Sequence, residues 1–183
     1  MNTLSHASTG SASATPMFYV VSVRKLIVLN VATLGFYWLF WSMRNWDLYW
    51  SASGEKFMFL PRAALPELFL YSLLRKVDRR IRESGRAYRW SPWQLTFGAL
   101  LTALLCWVLV LISLPLANGV GGTLAVSLAA LNLVIQSRTQ QAINFCEGDP
   151  NGAGNAQFTL VNWLWISIGA LGWLIVGALK GQG

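Results

Sequence analysis

Between Arg89 and Arg138 the chain carries no Asp, Glu, Lys or Arg, and a second charge-free stretch runs from Pro150 to Leu179. A helix crossing a hydrocarbon core takes roughly 20 apolar residues, and a charge at its centre costs about 2.5–3.5 kcal/mol on insertion scales. Long uncharged apolar runs are therefore what a bilayer selects, and a soluble fold of this size has no need of them. The expected class is all-α, a polytopic helical membrane protein. It has three firm transmembrane helices, an aromatic-rich N-terminal pair of membrane-embedded helices and one cationic amphipathic helix.

Charge is scarce and unevenly placed. Only 11% of the 183 residues are charged, against about 25% in an average soluble domain. Of 14 Lys and Arg, half lie in one segment: Arg75, Lys76, Arg79, Arg80, Arg82, Arg86 and Arg89, opposed there by Asp78 and Glu83 alone. A basic cluster beside a membrane span faces anionic headgroups, at about 1 kcal/mol per residue near the surface, so lipid or another membrane protein is the expected partner and nucleic acid is not. The stripe Leu70, Leu74, Val77 and Ile81, with cations opposite, predicts an amphipathic helix lying in the membrane plane.

Hydropathy and turn signals divide the chain into a polar tail (1–17), an N-terminal membrane-embedded or interfacial helix pair (18–74), a basic cytoplasmic amphipathic segment (75–94), a three-helix transmembrane bundle (95–179) and a short tail (180–183). The Ser/Thr/Ala-rich opening, which holds the one histidine, His6, cannot bury a core. It lacks the basic n-region of a cleavable signal, so Leu26–Met43 reads as an uncleaved anchor. That run ends in Phe36, Tyr37, Trp38, Phe40 and Trp41, rings suited to the headgroup boundary.

Phe57–Leu74 is ambiguous: its ten strong apolar residues contribute about −5 kcal/mol, and Arg62 and Glu67 offset that by about +5. It is expected at the surface or dipping inward, with Arg62 and Glu67 as an embedded charge pair satisfied by each other or by other partners. Leu95–Leu116, ended by Pro115 and Asn118-Gly119, and a return helix to about Ser137 make a hairpin. Phe158–Leu179 is the third span. With Arg75–Arg89 cytoplasmic by the positive-inside rule, the hairpin turn is outside, the 138–157 connection inside and the C-terminus outside.

Chemistry-bearing motifs are few. Asn132, Gln136, Gln140 and Asn144 recur at i, i+4 along one helix, with Asn30 and Asn162 as counterparts on other spans. Carboxamides in hydrocarbon serve as interhelical glue, worth about 0.6 kcal/mol each, or line a polar pathway or small-ligand cavity. Gly148–Asn155 imitates a calcium loop but has Ala153 at a ligand position and no closing glutamate. Cys106 and Cys146 form no metal or redox spacing. No metal, no cofactor and no catalytic residues are expected, so the chain reads as non-enzymatic.

Phe18-Tyr19-Val20-Val21-Ser22-Val23-Arg24-Lys25-Leu26, Thr33-Leu34-Gly35-Phe36-Tyr37-Trp38, Arg44-Asn45-Trp46, Pro61-Arg62-Ala63, Tyr71-Ser72-Leu73-Leu74, Gln140 to Asn144 and Phe158-Thr159-Leu160-Val161-Asn162 together resemble a family of small bacterial inner-membrane proteins known only as a domain of unknown function. Val21 and Arg24 are small departures. The resemblance spans about 18–179 and implies a multi-pass protein of the bacterial inner (cytoplasmic) membrane. It supplies no activity and no catalytic residues.

The expected function is that of a membrane interaction or scaffold protein whose basic cytoplasmic helix engages anionic lipid or a partner. Two alternatives are a small channel or transporter using the Asn/Gln stripe, and an immunity-type protein against a membrane-active toxin.

Overall fold

The computed structural model describes residues 16–55, 59–112 and 120–180, and every regular element among them is helical. Residues 1–15 of the polar tail, 56–58, 113–119 with the Pro115 to Gly119 turn, and 181–183 fall outside that set.

The first apolar run does not form one span. Helix α1 (Val23–Ala32) stops at Thr33, Leu34 and Gly35 take positive φ (54° and 88°), and α2 (Tyr37–Ser53) leads away. Thr33 joins both ends: its hydroxyl donates to the Leu29 carbonyl (2.7 Å) and accepts from the Tyr37 N–H (2.9 Å). Asn45, eight residues into α2, accepts from the N–H of Tyr19, which precedes α1, so the chain doubles back. The break puts Leu34 and Gly35 in succession in the left-handed region, which glycine enters freely and leucine only under strain.

Phe57–Leu74 is likewise divided, into α3 (Phe59–Ala64) and α4 (Pro66–Glu83). Pro66 stands in the first turn, where its missing N–H costs nothing. The apolar stripe of α4 is as expected, with Leu70, Leu73, Leu74, Val77 and Ile81 all buried. Its neighbours differ from expectation, because the stripe packs on protein. Phe18, Trp41, Trp46, Tyr49, Ile143 and Cys146 share one core with it. Of the rings expected at the headgroup boundary, Tyr37, Trp38 and Trp41 are buried in that core instead, together with Trp46 and Tyr49, while Phe36 stays exposed.

Among the described residues two helices are long and apolar enough to cross a membrane: α5 (Pro92–Ile112), over Pro92–Leu109, and α7 (Leu160–Lys180), over Leu160–Ala178. Only 17% and 11% of those windows are buried, so neither is the sheltered central helix of a soluble protein. The third expected span, α6 (Val120–Cys146), is not among them. Its last turns, with Ile143 and Cys146, belong to the core below. α5 and α6 pack closely through small residues: Ala99 and Thr102 are buried, and a Cβ on Gly98 would stand 3.0 Å from Ile135 Cδ1.

Helices α1 and α7 lie side by side in the same direction. Lys25, at the start of α1, donates to Asn155 Oδ1 and to the Gln157 carbonyl, both at 2.7 Å, just before α7 begins. At the other end a Cβ on Gly169 would overlap the Ala32 carbonyl, and Trp173 Nε1 donates to the Val31 carbonyl (3.1 Å). The α1–α2 tip thus reaches about 14–20 Å along a helix about 31 Å long.

Candidate functional site

The basic run separates into two groups once folded. Three of its cations serve the core. Lys76 donates to Tyr49 Oη (2.7 Å) and Glu55 Oε2 (2.8 Å), Arg80 pairs with the buried Glu147 (3.7 Å), and Arg86 donates to the carbonyls of Phe145 (2.8 Å) and Cys146 (2.6 Å). Arg86 therefore caps the C-terminal end of α6, where its charge also meets the negative end of the helix dipole. Arg75, Arg79 and Arg82 line an open groove of about 540 Å³ with Tyr71, Ser91 and Trp93. Arg89 is exposed on the connection to α5.

In that groove Arg79 meets Glu83 at 3.8 Å and Arg82 meets Asp78 at 2.7 Å, both i, i+4 pairs with an exposed arginine. Exposed pairs of this kind are worth about 0.3–0.5 kcal/mol and yield readily to a stronger anion. Arg75 lies 5.9 Å from the centre of the Tyr71 ring, and Tyr71 meets Trp93 edge-on at 6.1 Å. Trp93 is 62% exposed at the foot of the uncovered α5.

The carboxamide stripe is also divided. Gln140 and Asn144 are glue. Gln140 Nε2 donates to the Tyr19 carbonyl (2.9 Å) and to Asn144 Oδ1 (2.7 Å), and its Oε1 accepts from Trp41 Nε1 (2.5 Å). Asn144 bonds the backbone of Val21 through both amide atoms. Asn162 does not join the stripe: it sits in the first turn of α7, where Oδ1 accepts from the N–H and hydroxyl of Thr159.

Asn132 and Gln136 face a different space, a cleft of about 550 Å³ between the α1–α2 tip and helices α5, α6 and α7. Its lining includes Asn30, Glu67, Trp38 and Trp173. Asn132 Nδ2 reaches Thr102 Oγ1 at 3.4 Å. Asn30 is 2% exposed and Gln136 7% exposed, yet Asn30 Oδ1 and Gln136 Oε1 have no hydrogen-bond partner among the described residues. An unsatisfied buried acceptor costs about 1–3 kcal/mol.

Glu67 is the one charged residue in the cleft lining. Among the described residues it forms no ion pair with Arg62. The Arg62 guanidinium lies over the rings of Trp46 (5.1 Å) and Phe69 (5.6 Å) and donates to Ser72 Oγ (3.4 Å). An arginine with aromatic faces at hand needs no carboxylate. Glu67 is left half-buried, and that burial holds its carboxyl above the usual carboxylate range.

The 138–157 connection carries a turn as expected, and more. Asp149 accepts from the N–H groups of Ala153 (2.9 Å) and Gly154 (2.8 Å), which draws its carboxyl below the ordinary value. Gly152 (φ 64°) lies against the 21–22 backbone, where a Cβ would come within 2.6 Å of Val21 O. Asn155 Nδ2 donates to the Val20 carbonyl (2.9 Å). The Asn-Gly and Asp-Pro signals betrayed the turn; nothing in them showed that it clasps the N-terminal segment.

The described residues hold no cluster of three or more His, Cys, Asp or Glu able to bind a metal. Comparison with protein-family models, with curated proteins and with solved structures gives no match.

Proposed function

We propose that the chain is a non-enzymatic multi-pass protein of the bacterial inner membrane that binds anionic lipid headgroups through the groove between α4 and the foot of α5. One observation carries the reading: Arg75, Arg79 and Arg82 line that groove beside the exposed Trp93, where an uncovered apolar helix would leave the bilayer. Guanidinium groups fit phosphate oxygens bidentately, and indole and phenol rings belong at headgroup level. The apolar flanks of α5 and α7, with Leu104, Trp107 and Leu111 on one and Leu160, Leu171 and Leu174 on the other, are largely exposed, which suits hydrocarbon surroundings.

On this reading α5, α6 and α7 all cross and α1–α2 is a re-entrant hairpin. The N-terminus, α4 and the 147–158 connection then share the cytoplasmic side, and Arg24 and Lys25 stay where the positive-inside rule puts them. The motifs of 18–26, 33–38 and 158–162 ally the chain with the inner-membrane family they resemble.

The full chain, reconstituted in nanodiscs of phosphatidylcholine with a graded fraction of phosphatidylglycerol, tests the lipid role. Native mass spectrometry should show co-retained phosphatidylglycerol, weakened severalfold by Arg75→Gln, Arg79→Gln and Arg82→Gln combined. Retention equal to phosphatidylcholine, with no response to salt, would rule the role out. A chain that stays monodisperse in plain buffer without detergent would remove the membrane reading itself.

A further inference from the structure

We propose that the cleft between the α1–α2 tip, α5, α6 and α7 binds a primary ammonium group carried on an apolar body. The first argument is sign. The protein carries a formal charge of +7, yet the one charged residue in the cleft lining is an acid, Glu67, and it has no ion-pair partner among the described residues. A desolvated carboxylate without a counter-ion is unfavourable, and a cation relieves it.

Hydrogen bonding narrows the choice of cation. Asn30 Oδ1 and Gln136 Oε1 are acceptors without donors, and both residues line the cleft. Gln136 Oε1 lies on a terminal amide whose sp³–sp² torsion is soft, whereas turning the Asn30 amide would also break the 3.2 Å bond from its Nδ2 to the Leu26 carbonyl. An ammonium offers three N–H donors and no acceptor, matching a wall that presents a carboxylate and two amide oxygens. A quaternary ammonium has no N–H to give, and an alcohol brings no charge.

The remaining wall fits the apolar body. Phe36 is 63% exposed at the tip. Trp38 is held by stacking on Trp41 (3.9 Å between ring centres), and Trp173 is held by its bond to the Val31 carbonyl. Rings fixed in this way contribute area at little entropic cost, and indole is the best cation–π partner. A volume of about 550 Å³ lies in the range of ligand pockets, about 300–1,000 Å³. Such a group has two sources, a free lipophilic amine or the ethanolamine headgroup of a phospholipid.

Calorimetric titration of the full chain in maltoside micelles, with empty micelles subtracted, tests the site. The probes are decylammonium, decyltrimethylammonium and decanol. Saturable 1:1 binding of decylammonium is expected, at least tenfold tighter than either control. Glu67→Gln should weaken it at least tenfold, and Asn30→Leu or Gln136→Leu severalfold. Equal uptake of all three probes, or no saturable heat with any, would overturn the proposal, and that comparison needs no variant to fold.

Native mass spectrometry from nanodiscs of mixed phosphatidylethanolamine and phosphatidylcholine separates the two sources. Selective retention of phosphatidylethanolamine, displaced by decylammonium, assigns the site to the lipid headgroup. Decylammonium binding without such retention assigns it to a free amine.

Discussion

Asn144 engages Val21 through both backbone groups, its Nδ2 donating to the carbonyl at 2.9 Å and its Oδ1 accepting from the N–H at 3.4 Å. A carboxamide on a helix thereby does for an extended segment what a neighbouring strand would do. Val21 is fully buried, so these backbone groups have no water to fall back on.

Asn144→Leu should therefore lower stability by about 2–6 kcal/mol, since it orphans two buried backbone groups at about 1–3 kcal/mol each. Thermal unfolding in detergent measures the loss, and hydrogen exchange at Val21 should accelerate in step. A melting point unchanged from the parent would show that the segment is held elsewhere.

Gly169→Ala places a methyl group on the Ala32 carbonyl. Overpacking against backbone costs about 1–3 kcal/mol, and the α1–α2 tip should lift away from α7. Gly177, on the same helix, has nothing within 4 Å of its Cβ position, so Gly177→Ala should be neutral or stabilising by up to about 1 kcal/mol. Equal melting points for the two variants would refute the close contact.

Burial, with the neighbouring Glu147 adding to it, pushes the Cys146 thiol up to about 12. At pH 8 only about one molecule in ten thousand then carries the thiolate, the reactive form. In a Cys106→Ser background the folded protein should resist maleimide for hours and label at once in denaturant. Rapid labelling of the folded form would contradict the buried position.

Asp149 lies below its ordinary value of 3.8 because Gly154 and Ala153 donate to it. A carboxyl depressed in the folded state contributes stability that is fully present above the unfolded value and is lost as pH falls through the folded one. Exchange at the Ala153 and Gly154 amides should thus be slow at pH 5 and accelerate below about pH 3.8, beyond the intrinsic pH trend. Asp149→Asn should abolish that added dependence. If parent and variant follow one curve, the two N–H bonds are absent.

Much of the helical plan was legible from hydropathy. The stripe of Leu70, Leu74, Val77 and Ile81 is buried as its spacing implied, and α5 and α7 lie within a few residues of the uncharged runs. What the stripe packs on was not legible. Periodicity reports that a face is apolar and leaves open whether lipid or protein covers it, and here Trp41, Trp46 and Tyr49 do so from far along the chain. The division of Leu26–Met43 turns on Leu34 and Gly35, and neither differs from any residue of an apolar run until its positive φ is seen.

The carboxamide stripe shows the same limit. Spacing placed Gln136 and Gln140 one turn apart on α6, and the difference between them lies in their partners. Gln140 meets Tyr19 and Trp41, whereas Gln136 meets the cleft. Arg62 and Glu67 were expected to be satisfied by each other or by other partners, and for Arg62 the rings of Trp46 and Phe69 are among those partners.

The clasp around Tyr19–Val21 also sets an order of events during synthesis. Asn45 is made early enough to hold Tyr19, but Gln140, Asn144 and Asn155 lie more than 120 residues downstream, so most of the clasp is missing when the segment emerges from the ribosome. Contacts of such long sequence separation form late and slowly. Tyr19–Val21 is thus made early and fully fastened late, and a product truncated before residue 140 would keep the Asn45 bond to the Tyr19 N–H and lose the rest of the clasp.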